Sequence, residues 1–163
     1  MKPIIDLSGK RGLVVGIANE DSIAAGCAAS FRAAGADLAL TYLNEKAEPF
    51  VRPVADALQA SIVMPCDVRV AGQLEAVFER ISNDWGQLDF VLHSIAFAPG
   101  EDLHASLVDC SAAGIALAMD VSCHSFIRMT RLALPLMPDG GSLMTVSFTA
   151  PSGPSITTTS WAR

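Results

Sequence analysis

The stretch that decides the fold is Arg11-Gly12-Leu13-Val14-Val15-Gly16, a short apolar run that ends in glycine. A helical pattern over residues 22–34 follows it, with apolar residues four positions apart, and Gly35 comes directly after that pattern. Continuous apolar runs are typical of strands buried on both faces, and the i, i+4 spacing is typical of a helix with one apolar face. The stretch therefore predicts a strand followed by a helix, the first unit of an α/β fold.

The same alternation continues to about residue 147. Further strands are predicted at residues 37–42, 61–65, 88–94 and 141–147, and further helices at residues 45–60, 73–85 and about 106–136. Pro49 fits the first turn of the second helix, whereas Pro53 predicts a kink or a later start. Strands and helices in this order predict right-handed crossovers and a mainly parallel sheet.

The composition limits the classes of function. The 163 residues suit one domain, and 51% of them are hydrophobic and 17% charged. A net charge of -6 with no basic stripe argues against nucleic acid and against an anionic membrane as partners. The four cysteines show no metal-ligand spacing, and no apolar run is long enough to span a membrane. We therefore predict a cytoplasmic protein with reduced thiols, no metal site and no membrane segment.

The turn after the first strand is a candidate nucleotide site. A turn from a strand into a helix presents backbone N–H groups and the positive end of the helix dipole to a pyrophosphate. Gly16 closes the strand and Ser22 precedes the helix, but the spacing is not the usual G-x-G-x-x-G pattern. Ser22 is equally compatible with a plain N-cap role.

Longer strings in register are more specific than this turn. They occur, in order, at residues 7–19, 22–24, 41–42, 66–68, 89–99, 120–122, 125–126 and 140–143. Together they resemble the bacterial NADH-dependent enoyl-acyl carrier protein reductases of the short-chain dehydrogenase/reductase superfamily. The resemblance covers residues 4–147 and implies a truncated Rossmann-like three-layer α/β fold, with a parallel sheet of about five strands in the order 3-2-1-4-5.

The resemblance also implies NAD as the cofactor. Gly16, Ser22 and Ile23 would line the pyrophosphate and ribose, Asp67 would accept a hydrogen bond from the adenine amino group, and Val68 would pack beside the ring. The position of Asp67 just past the third strand agrees with this role, because dinucleotides sit at the carboxyl edge of such sheets. A strand-end cap is the alternative role for this carboxylate.

The fourth strand would supply the nicotinamide end of the site. By the resemblance, Ser94, Ile95 and Ala96 border the nicotinamide ribose, and Ala98 lies near the acyl substrate. Leu43 stands where the family usually has glutamine near the adenosine. No acidic residue directly follows the second strand to bind a ribose 2′-hydroxyl, so the choice of NADH over NADPH rests on the resemblance.

The catalytic tyrosine and lysine of the family are missing from this sequence. Phe148 and Thr158 stand at the two positions where the family has tyrosines, and the lysine position lies beyond Arg163. The single tyrosine, Tyr42, belongs to the second predicted strand. We therefore expect a dinucleotide-binding domain at residues 1–148, a disordered non-family tail at 149–163, and no catalytic residue.

A reading-frame change is one explanation for the tail. Codons can be chosen for residues 149–163 that, read two bases later, encode Gly-Ala-Glu-Arg-Ala-Val-Asp-His-Tyr-Asn-Val-Met-Gly-Pro-Val. That run resembles the active-site helix of the family, with its tyrosine correctly placed. The hypothesis is a one-base deletion at the codon of Phe148.

Three functions remain open at this point. Members of the family reduce the double bond of an enoyl thioester carried by acyl carrier protein in fatty-acid synthesis, and they are homo-oligomers. The first hypothesis is an active reductase, and the second is a non-catalytic NAD-binding fragment. The third is an interaction partner that docks on a full-length reductase through its long helical tract. The absence of the tyrosine and the lysine favours the second and third functions.

Overall fold

Five parallel strands form a single sheet in the computed structural model, which describes residues 5–147. In chain order they are β1 (Arg11–Val15), β2 (Asp37–Tyr42), β3 (Ile62–Pro65), β4 (Phe90–His93) and β5 (Ser142–Thr145). Their order in the sheet is β3-β2-β1-β4-β5, and each neighbouring pair is parallel. The sequence-based prediction of a Rossmann-like parallel sheet in the order 3-2-1-4-5 is therefore confirmed. Phe148, Thr158 and the tail at 149–163 lie outside the described residues.

Six α-helices connect or follow these strands within the described part of the chain. They are α1 (Ile23–Ala33), α2 (Glu48–Ala57), α3 (Gln73–Trp85), α4 (Gly100–His104), α5 (Ala112–Met119) and α6 (Ser125–Ala133). A π-helical segment, Asp120–His124, joins α5 to α6. The predicted bounds of the third helix are the observed ones. The second helix begins three residues later than predicted, which places Pro49 in its first turn and Pro53 within it.

The sheet carries a separate apolar layer on each face because successive strand residues point to opposite sides. On one face Leu13 and Val91 pack among side chains of α3 and α6. On the other face Leu38 and Leu40 pack among side chains of α1 and α2. This arrangement gives the three layers that the sequence predicts, and it leaves the carboxyl ends of the strands free to form a site.

The predicted long helical tract over residues 106–136 is confirmed for residues 112–136, which are helical throughout, and is wrong for the residues before them. Within that range the chain forms a 3-10 turn at Leu107–Asp109, then α5, the π-helical segment, α6 and a second 3-10 turn at Leu134–Leu136. The break before α5 has a local cause, since the Asp102 carboxylate accepts hydrogen bonds from the N–H and hydroxyl of Ser111 at 2.6 and 3.0 Å. Ser111 in turn caps α5 by accepting from the N–H of Gly114 at 2.9 Å.

Residues 5–147 contain neither a membrane-spanning helix nor a cluster of metal-binding side chains. None of the helices there combines the length and apolarity that a membrane crossing requires. Nor does that part of the chain hold three or more histidine, cysteine or acidic side chains placed to bind a metal ion.

Candidate functional site

A cleft of about 550 Å³ lies at the carboxyl edge of the sheet. That size is within the range of small-molecule and cofactor sites. Its wall is made by the segments that follow β1, β2, β3 and β4, together with one residue of the π-helical segment. The lining residues are Gly16, Ile17, Ala18, Leu43, Asn44, Lys46, Ala47, Phe50, Cys66, Asp67, Val68, Arg69, Ser94, Ile95, Ala96, Phe97 and Val121.

Gly16 forms the base of the cleft between β1 and β4. Its φ is +99°, and a Cβ at this position would lie 2.3 Å from the carbonyl oxygen of Ser94. Both the left-handed backbone and the close approach of the β4 end exclude a side chain here. The glycine therefore brings the turn after β1 directly against the segment after β4.

Ser22 is the N-cap of α1. Its hydroxyl oxygen accepts a hydrogen bond from the N–H of Ala25 at 3.3 Å, as a capping serine does. The N–H groups of Ile23 and Ala24 have no acceptor among the described residues. The first turn of α1 consequently keeps two backbone donors and the positive end of its dipole available for an anion.

Asp67 lies just past β3 and is held on both sides. Its N–H donates to the Gln73 side chain at 2.7 Å, and its carboxylate receives Nε and Nη2 of Arg69 at 2.9 and 2.7 Å. The hydrogen bonds from Arg69 hold the pKa of the Asp67 carboxyl below its usual value, although partial burial opposes them. The carboxylate is thus charged at neutral pH, and both of its oxygens accept hydrogen bonds from the Arg69 guanidinium.

The cleft brings together most of the residues that the sequence predicts for a dinucleotide site. Those that line it are Gly16, Asp67, Val68, Ser94, Ile95 and Ala96. Ser22 and Ile23 stand at the start of α1 instead, where Ile23 is 62% exposed. Ala98 is half-buried and lies outside the lining. Asp67 lines the cleft and also forms an ion pair with Arg69.

Several lining residues were not among the predicted site residues. Asn44, Lys46 and Phe50 come from the segment after β2 and the first turns of α2, and Arg69 and Phe97 come from the segments after β3 and β4. The rule that ligands sit at the carboxyl ends of parallel strands could have pointed to the residues closest to those ends. It could not have found Phe50 or Val121, because each belongs to a helical segment that tertiary packing places at the cleft.

A buried hydrogen-bond chain supports the wall that Val121 belongs to. The ring of His93 is fully buried, with Nε2 2.7 Å from the Ser125 hydroxyl and Nδ1 3.1 Å from the Thr145 hydroxyl. The Ser125 hydroxyl donates to the carbonyl of Val121 at 2.6 Å, so its oxygen is left to accept from Nε2–H of His93. The chain of bonds ties the ends of β4 and β5 to the π-helical segment.

That segment also holds the loop after β4. The hydroxyl of Ser122 accepts from the N–H of Phe97 at 3.0 Å and donates to the carbonyl of the same residue at 3.2 Å. A π-helical turn within an α-helical run is uncommon and is frequently found at functional sites. In this chain it presents Val121 to the cleft and Ser122 to the cleft's loop.

Cys66 is the cysteine in the wall of the cleft. Burial raises the pKa of its thiol to about 11, and the neighbouring carboxylate of Asp67 acts in the same direction. A thiol with that pKa is almost wholly protonated at neutral pH and is a poor nucleophile. Cys66 therefore contributes packing to the cleft rather than covalent chemistry.

Comparison with protein families gives a match over most of the chain. The family model described as "Enoyl-(Acyl carrier protein) reductase" matches residues 16–158. The NADH-dependent enoyl-[acyl-carrier-protein] reductase FabI of Aquifex aeolicus is 42% identical over 143 residues, which are 87% of this chain and 53% of that protein. FabI of Nostoc sp. is 40% identical over 148 residues, 89% of this chain and 57% of that protein. The chain spans about half the length of the curated relatives it matches.

Solved structures give the same result. The enoyl-(acyl-carrier-protein) reductase of Anaplasma phagocytophilum in complex with NAD superposes with a TM-score of 0.85 at 38% identity, over 91% of this chain and 56% of that one. The Bacillus cereus enoyl-acyl carrier protein reductase with NADP⁺ and indole naphthyridinone superposes with a TM-score of 0.84 at 41% identity, over 89% of this chain and 57% of that one.

Proposed function

Since the chain belongs to the enoyl-acyl carrier protein reductase family, we propose that the cleft at the carboxyl edge of its sheet binds NADH. The observation that carries this proposal is the convergence of Gly16, Asp67 and Ser94 on one cleft from the ends of three different strands. A dinucleotide bound across such strand ends is the usual arrangement in open parallel α/β sheets.

The residues present fit such a cofactor. Gly16 lines the cleft without a side chain, and a Cβ there would clash with Ser94, so the turn after β1 offers a bare backbone to a phosphate. The free N–H groups of Ile23 and Ala24 suit the pyrophosphate, and the carboxylate of Asp67 suits an exocyclic amino group of a base. Ser94, Ile95 and Ala96 would then border the nicotinamide ribose, with Ala98 on the side of an acyl substrate.

Enoyl reduction needs more than a bound cofactor. NADH supplies the hydride when bound, and the resulting enolate then needs a donor for its oxyanion and a proton. Tyr42, the single tyrosine of the sequence, is 5% exposed on β2, and burial followed by its hydrogen bond to Glu48 raises the pKa of its phenol. Because β1 separates β2 from β4 in the sheet, Tyr42 does not serve a substrate beside Ser94. We therefore expect the 163-residue chain to bind NADH without reducing an enoyl thioester.

A steric variant of the cleft tests the binding proposal. Ala96 is exposed in the cleft wall, and Ala71 is exposed outside it. Titration of the chain into NADH, followed by nicotinamide fluorescence, should show binding by the parent and by Ala71→Phe. Ala96→Phe should weaken binding at least roughly tenfold because the added ring fills the cleft. Equal dissociation constants for the two variants would contradict the assignment of the cleft.

A coupled measurement tests the expected lack of turnover. Consumption of NADH at 340 nm in the presence of crotonyl thioester should not exceed that of a protein-free control, although the same preparation binds NADH. Turnover abolished by Ala96→Phe and retained by Ala71→Phe would show that another group replaces the tyrosine and lysine, and would overturn this part of the proposal.

Docking on another subunit is a second candidate function, favoured by the apolar surface of the 100–136 region. Eight large apolar side chains between Leu103 and Leu134 are at least 36% exposed. Ile115 and Ile127, 50% and 60% exposed, lie on α5 and α6. If this surface binds a full-length reductase, the two proteins should co-sediment, and Ile115→Glu with Ile127→Glu should abolish the complex. Co-sedimentation unaffected by both substitutions would contradict it.

The reading frame at Phe148 is a separate proposal. It rests on the codon argument above, in which the shifted frame of residues 149–163 encodes a run similar to the active-site helix of the family. The gene sequence across this codon is the test. Restoring one base should yield a frame that contains the tyrosine and the lysine, whereas bases that do not encode that run would refute the deletion.

A further inference from the structure

Arg69 connects the two sides of the cleft. Its guanidinium donates to the Asp67 carboxylate through Nε and Nη2, and its Cζ lies 5.1 Å from the centre of the Phe97 ring. Asp67 follows β3 and Phe97 follows β4, and both β2 and β1 lie between those strands in the sheet. The side chain of Arg69 therefore joins the segment after β3 to the segment after β4 within the lining of the cleft where a dinucleotide would lie.

The contacts of Arg69 are directional but reversible. The fork of a guanidinium matches a carboxylate in a bidentate geometry, and its flat face suits an aromatic ring. The Arg69 side chain is 40% exposed and that of Asp67 is 16% exposed, so water competes with the ion pair on the arginine side. An exposed pair of this kind is weak enough for a ligand to replace it.

We propose that Arg69 is a specificity-determining latch that holds the cleft closed between Asp67 and Phe97, and that an entering adenine base must displace it from Asp67. This proposal rests on the proposed function, in which NADH occupies the cleft. An adenine amino group needs the same carboxylate oxygens that Arg69 occupies. A ligand that lacks the adenosine half does not reach Asp67 and leaves the latch in place.

If Arg69 instead contacts the bound cofactor, its substitution should change NADH affinity in the opposite direction. If Arg69 bound the negatively charged pyrophosphate or stacked on the adenine, losing its geometry would weaken NADH binding. Arg69→Lys separates the two roles, because lysine keeps the positive charge but has neither the bidentate fork nor the flat face. A neutral substitution would mix the loss of the latch with the loss of a charge.

The chain offers a matched control on α3. Arg80 donates through Nε to Asp84 at 2.6 Å, is 55% exposed, and lies outside the cleft lining. Arg80→Lys makes the same chemical change in another exposed arginine–aspartate pair. It should leave ligand binding unchanged, so any effect of Arg69→Lys is specific to its position.

The experiment measures the dissociation constants of NADH and of reduced nicotinamide mononucleotide for the parent, Arg69→Lys and Arg80→Lys. Arg69→Lys should bind NADH about threefold to tenfold tighter than the parent, the range expected for releasing one exposed ion pair and one cation–π contact. The mononucleotide should bind all three chains equally. Circular dichroism checks that the variants are folded.

The possible outcomes distinguish failure of the Arg69 latch from failure of NADH binding in the cleft. If Arg69→Lys binds NADH as tightly as the parent does, or more weakly, the latch proposal is wrong, and the cleft remains the proposed NADH site. Tighter binding of both ligands also overturns it, because the adenosine half would then not be what the latch opposes. Absence of NADH binding by all three chains overturns the proposed function and the latch together.

Discussion

Residues 11–93 and residues 100–136 use their apolar side chains in different ways. In the first region each of α1, α2 and α3 buries two or more side chains against the sheet, and the strands β1, β2 and β4 are almost completely buried. In the second region α4 buries no residue and α5 buries only Gly114. Among the described residues, eight of the fourteen large exposed apolar side chains belong to this second region.

The difference shows that apolar content alone does not make a core. Helix α5 is one of the most apolar segments of the chain, yet its isoleucine, leucine and methionine side chains face outward. Helix α6 buries Ser125, Met129 and Ala133 because β4, β5 and α3 lie beneath it. A hydrophobic composition of 51% therefore combines strands buried on both faces with helices whose apolar faces are not covered by any of residues 5–147.

The largest difference in free energy of unfolding should come from the same leucine-to-alanine change made in each region. Leu40, in β2, is fully buried, whereas Leu134 is 60% exposed. Leu40→Ala should lower the free energy of unfolding by about 2–5 kcal/mol because it leaves a cavity between the sheet and α1 and α2. Leu134→Ala should cost less than about 1 kcal/mol. Urea denaturation followed by circular dichroism measures both, and similar losses would refute the contrast between the regions.

A pair of glycines tests how tightly the cleft end of the sheet is built. Gly16 and Gly140 both have positive φ, +99° and +87°, but a Cβ at Gly140 would meet nothing within 4 Å. Gly140→Ala should therefore show backbone strain alone, about 1 kcal/mol. Gly16→Ala adds the clash with Ser94, so we expect a further loss of about 1–2 kcal/mol and loss of NADH binding. If Gly16→Ala bound NADH with the parent's affinity, the close approach of β1 and β4 would not shape the site.

The buried His93 should make the stability of the first region, residues 11–93, depend on pH. Burial lowers the pKa of His93 from its ordinary value of 6.5, so the unfolded chain takes up a proton more readily than the folded one. Its contribution to stability is thus fully present above pH 6.5 and declines as the pH falls below that value. The slope from one such group reaches at most about 1.4 kcal/mol per pH unit.

The matched variant for this prediction is His93→Asn, which keeps a donor and an acceptor but does not titrate. Free energies of unfolding at pH 7.0, 6.0 and 5.0 should fall less steeply for the variant than for the parent. The carboxyls of Asp67 and Asp89 have pKa values below their ordinary range, so they titrate below this window. Parallel pH profiles for the two chains would show that His93 is not the responsible group.

Much of the fold follows from the sequence because local signals and tertiary packing agree in the first region. Gly35 and Gly86 end helices with positive φ, and Pro49 lies in the first turn of α2, as residues of these types do at such positions. The strand order follows from the family resemblance, and the five apolar runs mark the strands themselves. The position of Asp67 at a strand end follows from the same rule that places ligands in such sheets.

The second region could not be predicted as well for physical reasons. The break before α5 depends on the hydrogen bonds from Ser111 to the Asp102 carboxylate, nine residues earlier, and apolar periodicity does not record such polar contacts. The π-helical segment is tied to the sheet by the hydrogen bond between His93 and Ser125, which forms only once β4 and α6 have packed. The contact of Arg69 with Phe97 likewise joins two loops that the sheet brings together.

The smallest effect should come from the most exposed apolar residue of the second region. Val108 is 87% exposed in the 3-10 turn before α5, so replacing it removes almost no buried surface. Val108→Ser should change the free energy of unfolding by less than about 0.5 kcal/mol. Urea denaturation of the parent, Val108→Ser and the contrasting Val51→Ser, whose valine is fully buried, measures the free energy of unfolding. Sedimentation velocity shows whether each chain is monomeric. A loss above about 1 kcal/mol for Val108→Ser in the monomer would show that this turn is covered in solution, and the contrast between the two regions would then have to be narrowed to α5 and α6.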